Sequence, residues 1–263
     1  MRISGSTVLL TGATGGLGEA IARELGGRGA KLIVTGRRTD VLEGLVSELG
    51  ARALAADLAD RGAVDRLLSE AGDIDILVAN AALPGAGRLD EFDLDEIDRT
   101  LEVNLRAPIA MAHALAPAMA ARGAGHLLFV SSLSGKAPTA MTSLYNATKF
   151  GLRGFALGLR PEMRERNVGV SVVCPGFIRE AGMFAGTGAK LPTGVGTRSP
   201  HDVGRAVAEA IEHNRAEVDV APLPLRLGTV FAGVAPSLAA SFTRRTGSDK
   251  LAAEIAASHR AKG

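Results

Sequence analysis

Apolar runs of strand length alternate with amphipathic stretches of helix length along most of this chain. The runs are "TVLLTG" (7–12), "AKLIVTG" (30–36), "ARALAADL" (51–58), "IDILVAN" (74–80), "GHLLFVSS" (125–132), "VGVSVVCPG" (168–176) and "AEVDVAP" (216–222). Between them the pattern predicts helices over roughly 17–28, 40–49, 60–70, 95–121, 144–166 and 201–214. Each intervening stretch is too long for a hairpin and suits a crossover between parallel strands. The expected fold is therefore α/β, a doubly wound parallel sheet with helices on both faces, forming a single domain over residues 1–263. No linker divides the chain, and no fixed-period repeat appears beyond this alternation. On such a sheet ligands bind beyond the carboxyl ends of the strands, so residues at strand exits carry the functional question.

Composition narrows the partners. A formal net charge of +2, with cations scattered among acids, lacks the basic stripe of a nucleic-acid binder. Small-molecule partners are expected. The single cysteine, Cys174, allows no internal disulfide, and five scattered histidines show no ligand spacing, so no metal site is expected and a reducing cytoplasm is the natural home. "MRISGSTVLL" lacks the apolar core and cleavage site of a secretory signal. The apolar stretch "PLPLRLGTVFAGVAPSLAASF" (222–242) is interrupted by Arg226 and Pro236 and is too broken for a membrane span. It reads as packing over a substrate cleft or subunit interface, with peripheral membrane contact as the alternative. Residues 222–263 as a whole read as an apolar and helical extension, ending in a short amphipathic helix over 248–263.

Two strand exits and one helical segment stand out. "TGATGGLG" (11–18) places Gly12, Gly16 and Gly18 between the first strand and first helix, where bare backbone can approach a pyrophosphate and free helix amides can meet its charge. After the second strand, Gly36 stands where an NAD-preferring enzyme carries an acid for the ribose, and Arg37 and Arg38 follow. Two guanidinium groups there suit the 2′-phosphate of NADP, with NAD as the alternative. In "SLYNATKFG" (143–151) the only tyrosine, Tyr145, precedes Lys149 by four positions, so the two share one helix face. Taken alone, that pair is either a chemical unit or a packed tyrosine with a lysine passing it.

These residues resemble the short-chain dehydrogenase/reductase family, in its compact single-domain branch with a Rossmann-type sheet, over about residues 5–222. "TGATGGLG" is similar to the family's cofactor loop, which implies cofactor contacts at Gly12, Thr14, Gly16, Leu17 and Gly18. Asp57 and Leu58 resemble the pair at the adenine. Asn80 and Ala81 resemble the element after the fourth strand, where Ala82 replaces the usual glycine. Asn104 in "VNL" stands where the family keeps a helix asparagine supporting a water-linked proton path. The family's serine lies thirteen positions before its tyrosine, which selects Ser132. The resemblance thus implies the set Asn104, Ser132, Tyr145 and Lys149. Pro175, Gly176 and Ile178 resemble the element beside the nicotinamide, while Glu180 stands where threonine is usual. Ser131 and Ser134 are expected to be structural, and Cys174 a core residue.

The chemistry accounts for these residue types. A ketone or aldehyde accepting hydride builds charge on oxygen and must be protonated as it does so, and Tyr145 is the expected donor. In the reverse direction a phenolate is needed. Lys149 is expected to favour it by its charge and, by the resemblance, to hold the nicotinamide ribose. Ser132 is expected to orient the substrate oxygen. The expected activity is NADP(H)-dependent interconversion of a secondary alcohol and a carbonyl on a fairly apolar small molecule, by a homodimer or homotetramer. The alternatives are a non-catalytic dinucleotide-binding regulator and a membrane-peripheral protein. The glycine-rich stretch 177–198 is expected to be a substrate lid.

Overall fold

The computed structural model describes residues 1–181, 196–235 and 237–238. Seven parallel strands form one sheet: β1 (Thr7–Thr11), β2 (Lys31–Thr35), β3 (Arg52–Ala53), β4 (Ile76–Ala79), β5 (Gly125–Val130), β6 (Val168–Pro175) and β7 (Glu217–Val220). Their spatial order is β3-β2-β1-β4-β5-β6-β7, so the order reverses between β1 and β4. That switch point lies directly beyond the glycine turn. Strand side chains alternate between two cores. Leu9, Ile33, Leu77, Phe129, Val172 and Cys174 face one, and Val8, Leu10, Val34, Val78, Leu128 and Val173 face the other. Burial on both faces explains why the strands read as continuous apolar runs instead of alternating ones.

The helices are α1 (Gly16–Gly27), α2 (Thr39–Leu49), α3 (Arg61–Ala71), α4 (Leu94–Leu101), α5 (Ala107–Ala121), α6 (Ser143–Arg164), α7 (Pro200–Glu212) and α8 (Leu223–Val234). The expected helix over 95–121 is present, but π geometry over Glu102–Arg106 joins α4 to α5. Pro108 follows at once and has no N–H to offer the Asn104 carbonyl four residues earlier, which disfavours a regular α turn here.

One expectation changes. The third strand is two residues long, not eight. Leu54 and Ala56 still donate to Val34 and Gly36 of the β2 side, but turn chemistry then takes over. Asp57 accepts from the Ala59 amide, and Asp60 caps α3 through Gly62. The stretch after β7 forms a helix, α8, whose N-terminal position is set by Pro222 and Pro224. Among the described residues no helix is long and apolar enough to cross a membrane.

Candidate active site

At the exit of β1 the backbone turns sharply, with Gly12 at φ +64°. A Cβ at Gly12 would lie 2.6 Å from Ala81 Cα, and one at Gly16 would lie 2.6 Å from Ala181 Cβ. α1 begins after Gly15 with no side-chain cap, and Glu19 is the first residue to donate back to Gly15. Among the described residues the amides of Gly16, Leu17 and Gly18 therefore have no acceptor, which is the donor set an anion requires. Thr11, a residue the sequence reading passed over, fastens this turn to β4: its hydroxyl accepts from the Asn80 and Ala81 amides at 3.0 and 3.1 Å. The Asn80 amide side chain returns bonds to the carbonyls of Thr11 and Gly12.

On the β2 side, a Cβ at Gly36 would stand 2.7 Å from the Thr14 hydroxyl and methyl, so a carboxylate at this position would displace Thr14. Arg38 donates to the Thr14 carbonyl, while Arg37 is exposed and has no ion-pair partner among the described residues. Asp57 is paired with Arg99 at 2.7 Å. Burial pushes its carboxyl up, but the Arg99 and Ala59 hydrogen bonds and the charges of Arg99 and Arg37 outweigh that and hold it below the usual range. Leu58 is buried beneath. A glycine turn, unused helix amides and free cationic density beyond a carboxylate-excluding Gly36 together fit a phosphorylated dinucleotide.

Asn104 is fully buried within the π turn. Its side chain accepts from the Leu83 amide at 2.6 Å and donates to the Leu83 carbonyl at 2.9 Å, pinning the β4 loop to the helix. A longer contact of 3.4 Å reaches the Thr148 hydroxyl on α6.

Ser132 caps a short 3₁₀ turn over Leu133–Gly135. Its hydroxyl accepts from the Ser134 amide at 3.1 Å and donates to the Pro175 carbonyl at 3.4 Å. Ser131 is structural as expected, donating to the Lys149 carbonyl at 2.9 Å. Two glycines not singled out from the sequence allow the close fit. A Cβ at Gly135 would meet the Lys149 carbonyl at 2.6 Å, and one at Gly85 would meet the Tyr145 amide at 3.0 Å.

Tyr145 and Lys149 lie on the first two turns of α6. The Lys149 ammonium is 5.6 Å from the Tyr145 ring centroid and donates to the Val130 carbonyl at 2.9 Å. Burial pushes the phenol up to about 12, against a hydrogen bond with Ser132 that pulls it down. Burial pushes Lys149 down to about 8. The expected depression of the phenol by Lys149 is thus not supplied by the chain's own groups, because desolvation of the phenolate dominates at this buried position. Cys174, also buried, is pushed up to about 12 by desolvation and by Glu217 and Asp219. It is a core residue.

Beyond β6, a Cβ at Gly176 would find Leu133, Ala221 and Leu225 at 3.1 Å, and Ile178 is buried and bridged to Arg198. Arg179 and Glu180 pair with each other at 3.0 Å and are exposed, and Glu180 has φ +70°. Most of the expected lid, including Thr187, and the expected helix over 248–263 lie outside the described residues. α8 lies beside the serine turn. Leu225 and Thr229 face inward, while Leu223, Leu227, Val230, Phe231 and Val234 form an exposed apolar stripe. Among the described residues no cluster of histidine, cysteine and carboxylate side chains could hold a metal ion.

The chain is similar to known proteins throughout this region. A family model described as short chain dehydrogenase matches residues 6–191. A ketoacyl reductase, HetN, of a Nostoc species is 34% identical over 232 residues, covering 85% of this chain and 81% of that protein. Among solved structures, a metagenomic short-chain oxidoreductase in complex with NADP is 33% identical with a TM-score of 0.69, covering 84% of this chain and 99% of that one. A short-chain dehydrogenase from Sphingobium yanoikuyae in complex with NADPH is 28% identical with a TM-score of 0.73, covering 81% and 87%. With its seven-stranded parallel sheet and these matches, the chain belongs to the short-chain dehydrogenase/reductase family of oxidoreductases.

Proposed function

We propose that the chain is an NADP(H)-dependent oxidoreductase that interconverts a secondary alcohol and a ketone or aldehyde on a fairly apolar small molecule. The observation that carries this reading is the convergence of Ser132, Tyr145 and Lys149 at the carboxyl edge of β5 and β6, beside a glycine turn with unused amides. The NADP(H) complexes of similar structures and the name of the Nostoc relative support it.

Gly16, Leu17 and Gly18 would hold the pyrophosphate through their amides, Arg37 and Arg38 the 2′-phosphate, and Asp57, Leu58, Asn80 and Ala81 the adenosine side. Lys149, Pro175, Gly176 and Ile178 would line the nicotinamide end. When bound, the cofactor supplies the hydride and, in its oxidised form, a positive ring charge. Ser132 orients the substrate oxygen, and its hydroxyl keeps the phenol aligned with that oxygen. A phenol near 12 is fully protonated at neutral pH, the form that donates to a carbonyl oxygen during reduction. Lys149, at about 8, is still mainly an ammonium at neutrality and can hydrogen-bond ribose hydroxyls while favouring charge on the phenol. Asn104 holds the β4 loop against α6 and so fixes the path by which protons return to Lys149. The unit is a homodimer or homotetramer acting in the cytoplasm.

The test is consumption of NADPH, followed by its absorbance, with ethyl acetoacetate, straight-chain ketones and straight-chain aldehydes, and with NADH as the comparison cofactor. Reduction of at least one carbonyl with preference for NADPH is expected. NADPH binding without turnover across the panel would favour the non-catalytic dinucleotide-binding regulator instead.

A further inference from the structure

Lys136 is a part-buried cation that the proposed chemistry does not use. Its ammonium donates to Glu217 at 2.6 Å and to both carboxylate oxygens of Asp219 at 2.8 and 2.9 Å. Glu217 accepts in turn from Arg153. The side chains of Lys136 and Asp219 are only 12% and 10% exposed. Burial lowers Lys136, but the bonds from Asp219 and Glu217 more than reverse it. Burial raises Glu217, but the hydrogen bonds and charges of Arg153 and Lys136 hold it below its usual range. Two cations and two carboxylates thus form one neutral, part-buried cluster.

The cluster's members sit on the elements that make the site. Lys136 closes the 3₁₀ turn that Ser132 opens, its amide donating to Leu133 at 2.9 Å while Gly135 donates to Ser132 at 2.9 Å. Arg153 lies on α6, one turn after Lys149. Glu217 and Asp219 lie on β7, with Asp219 paired in register with Cys174, the residue before Pro175. Pro175 is the residue whose carbonyl the Ser132 hydroxyl reaches. The serine turn has no other side-chain anchor to β7 among the described residues. A surface pair would contribute little, but a desolvated cation with three short bonds has one strongly preferred position.

We infer that Lys136, held by Glu217 and Asp219, is a positioning residue that holds the serine turn in place for the proposed pairing of Ser132 with Tyr145, and that Glu217 ties this anchor through Arg153 to the helix carrying Tyr145 and Lys149. The inference rests on the proposed pairing of Ser132 with Tyr145. The anchor fixes the backbone of the turn, within which the Ser132 hydroxyl accepts from the Ser134 amide and reaches the Pro175 carbonyl.

The chain itself provides the probe, since Tyr145 is its only tyrosine and it has no tryptophan. Phenolate absorbance after a rapid upward pH jump therefore titrates Tyr145 alone, on the full chain with no substrate. Ser132→Ala should move the midpoint upward, because it removes a hydrogen bond that favours the charged form. Lys136→Met should move it in the same direction by a comparable amount, Lys136→Arg should restore most of the shift, and Lys136→Met should add little in the Ser132→Ala background. Asp219→Asn keeps the shape and one acceptor and repeats the comparison if Lys136→Met does not fold. An unchanged midpoint in Lys136→Met and Asp219→Asn, or full additivity with Ser132→Ala, overturns the inference. An unchanged midpoint in Ser132→Ala removes its premise and overturns it too. Absence of turnover with every carbonyl, beside the expected midpoints, would remove the proposed activity and leave the positioning role standing.

Discussion

The Lys149 ammonium lies 5.6 Å from the Tyr145 ring centroid, yet its 2.9 Å hydrogen bond goes to the Val130 carbonyl at the end of β5. The lysine is therefore held by the sheet, not by the phenol. Both side chains are displaced toward their neutral forms, the phenol to about 12 and the ammonium to about 8. Desolvation dominates both shifts. Acid–base balance at this pair is thus sensitive to any further positive charge brought beside the phenol.

That sensitivity is measurable by titrating the single tyrosine. The phenolate absorbance of the chain alone should show a midpoint near 12, and added NADP⁺ should lower it by at least about one unit. The linked stability has a defined sign. The folded phenol titrates above its ordinary value of 10, so its contribution to stability is present below pH 10 and is lost as pH rises from 10 to about 12. A midpoint that ignores NADP⁺ would separate Tyr145 from the nicotinamide.

Arg37 and Arg38 should not behave alike. Arg38 donates to the Thr14 carbonyl within the glycine turn, whereas Arg37 is exposed and has no ion-pair partner among the described residues. Arg37→Ala should weaken NADP by about 1.5–3 kcal/mol and leave NAD nearly unchanged. Arg38→Ala should weaken both cofactors, because it also frees the turn that each would use. Titration of each variant with NADP and with NAD, by calorimetry, checks the difference.

What could be read from the sequence was local. The i,i+4 pair of Tyr145 and Lys149, the glycine turn and the alternation of strands with helices all follow from short-range periodicity. Ser132 came from a fixed spacing carried by family resemblance. The Lys136 cluster could not be read, because its partners lie 81 and 83 residues away and only β7 pairing with β6 brings them together. The Asn104 bond to the Leu83 backbone has the same character, since a main-chain partner leaves no side-chain signature. α8 lies within the stretch read as an apolar and helical extension, and its start at Pro222 and Pro224 follows from the tolerance of proline at a helix N-terminus.

Oligomerisation is testable on α6. A methyl group placed on Gly154 or Gly158 would meet no neighbouring element within 4 Å, and Phe150, one turn before Gly154, is 40% exposed. These three share one helix face. Sedimentation at micromolar protein should give a homodimer or homotetramer. Replacing both glycines with arginine should shift the distribution toward smaller species, since long charged side chains prevent close helix approach. A stable monomer for the unaltered chain would contradict the expectation.

Substitutions of the central residues should separate chemistry from stability. Tyr145→Phe keeps the ring and removes the transferable proton, so it should abolish turnover and leave NADP affinity within a few fold. Ser132→Ala should lower turnover by roughly ten- to a thousandfold, the range for loss of one oxygen-binding donor, with cofactor binding retained.

Lys149→Met makes the strongest demand, because rate and stability should move in opposite directions. The fall from 10.5 to about 8 means that burying the ammonium costs the folded chain about 3 kcal/mol while it is charged. Methionine avoids that cost but leaves the Val130 carbonyl without its donor, a loss of about 1–3 kcal/mol. The net effect at neutral pH should be a gain of up to about 2 kcal/mol. The cost is full below about pH 8, shrinks as pH rises to 10.5, and is gone above that, where the unfolded lysine is neutral as well. Thermal unfolding of both proteins without added cofactor should therefore show the variant's advantage at pH 7 falling, and then reversing, toward pH 10.5. Turnover and NADP affinity should fall together at every pH, since the same ammonium is the proposed ribose contact. A variant whose stability differs from the parent by one constant amount across this range would show that Lys149 is not a strained cation, and its burial would then need a different explanation.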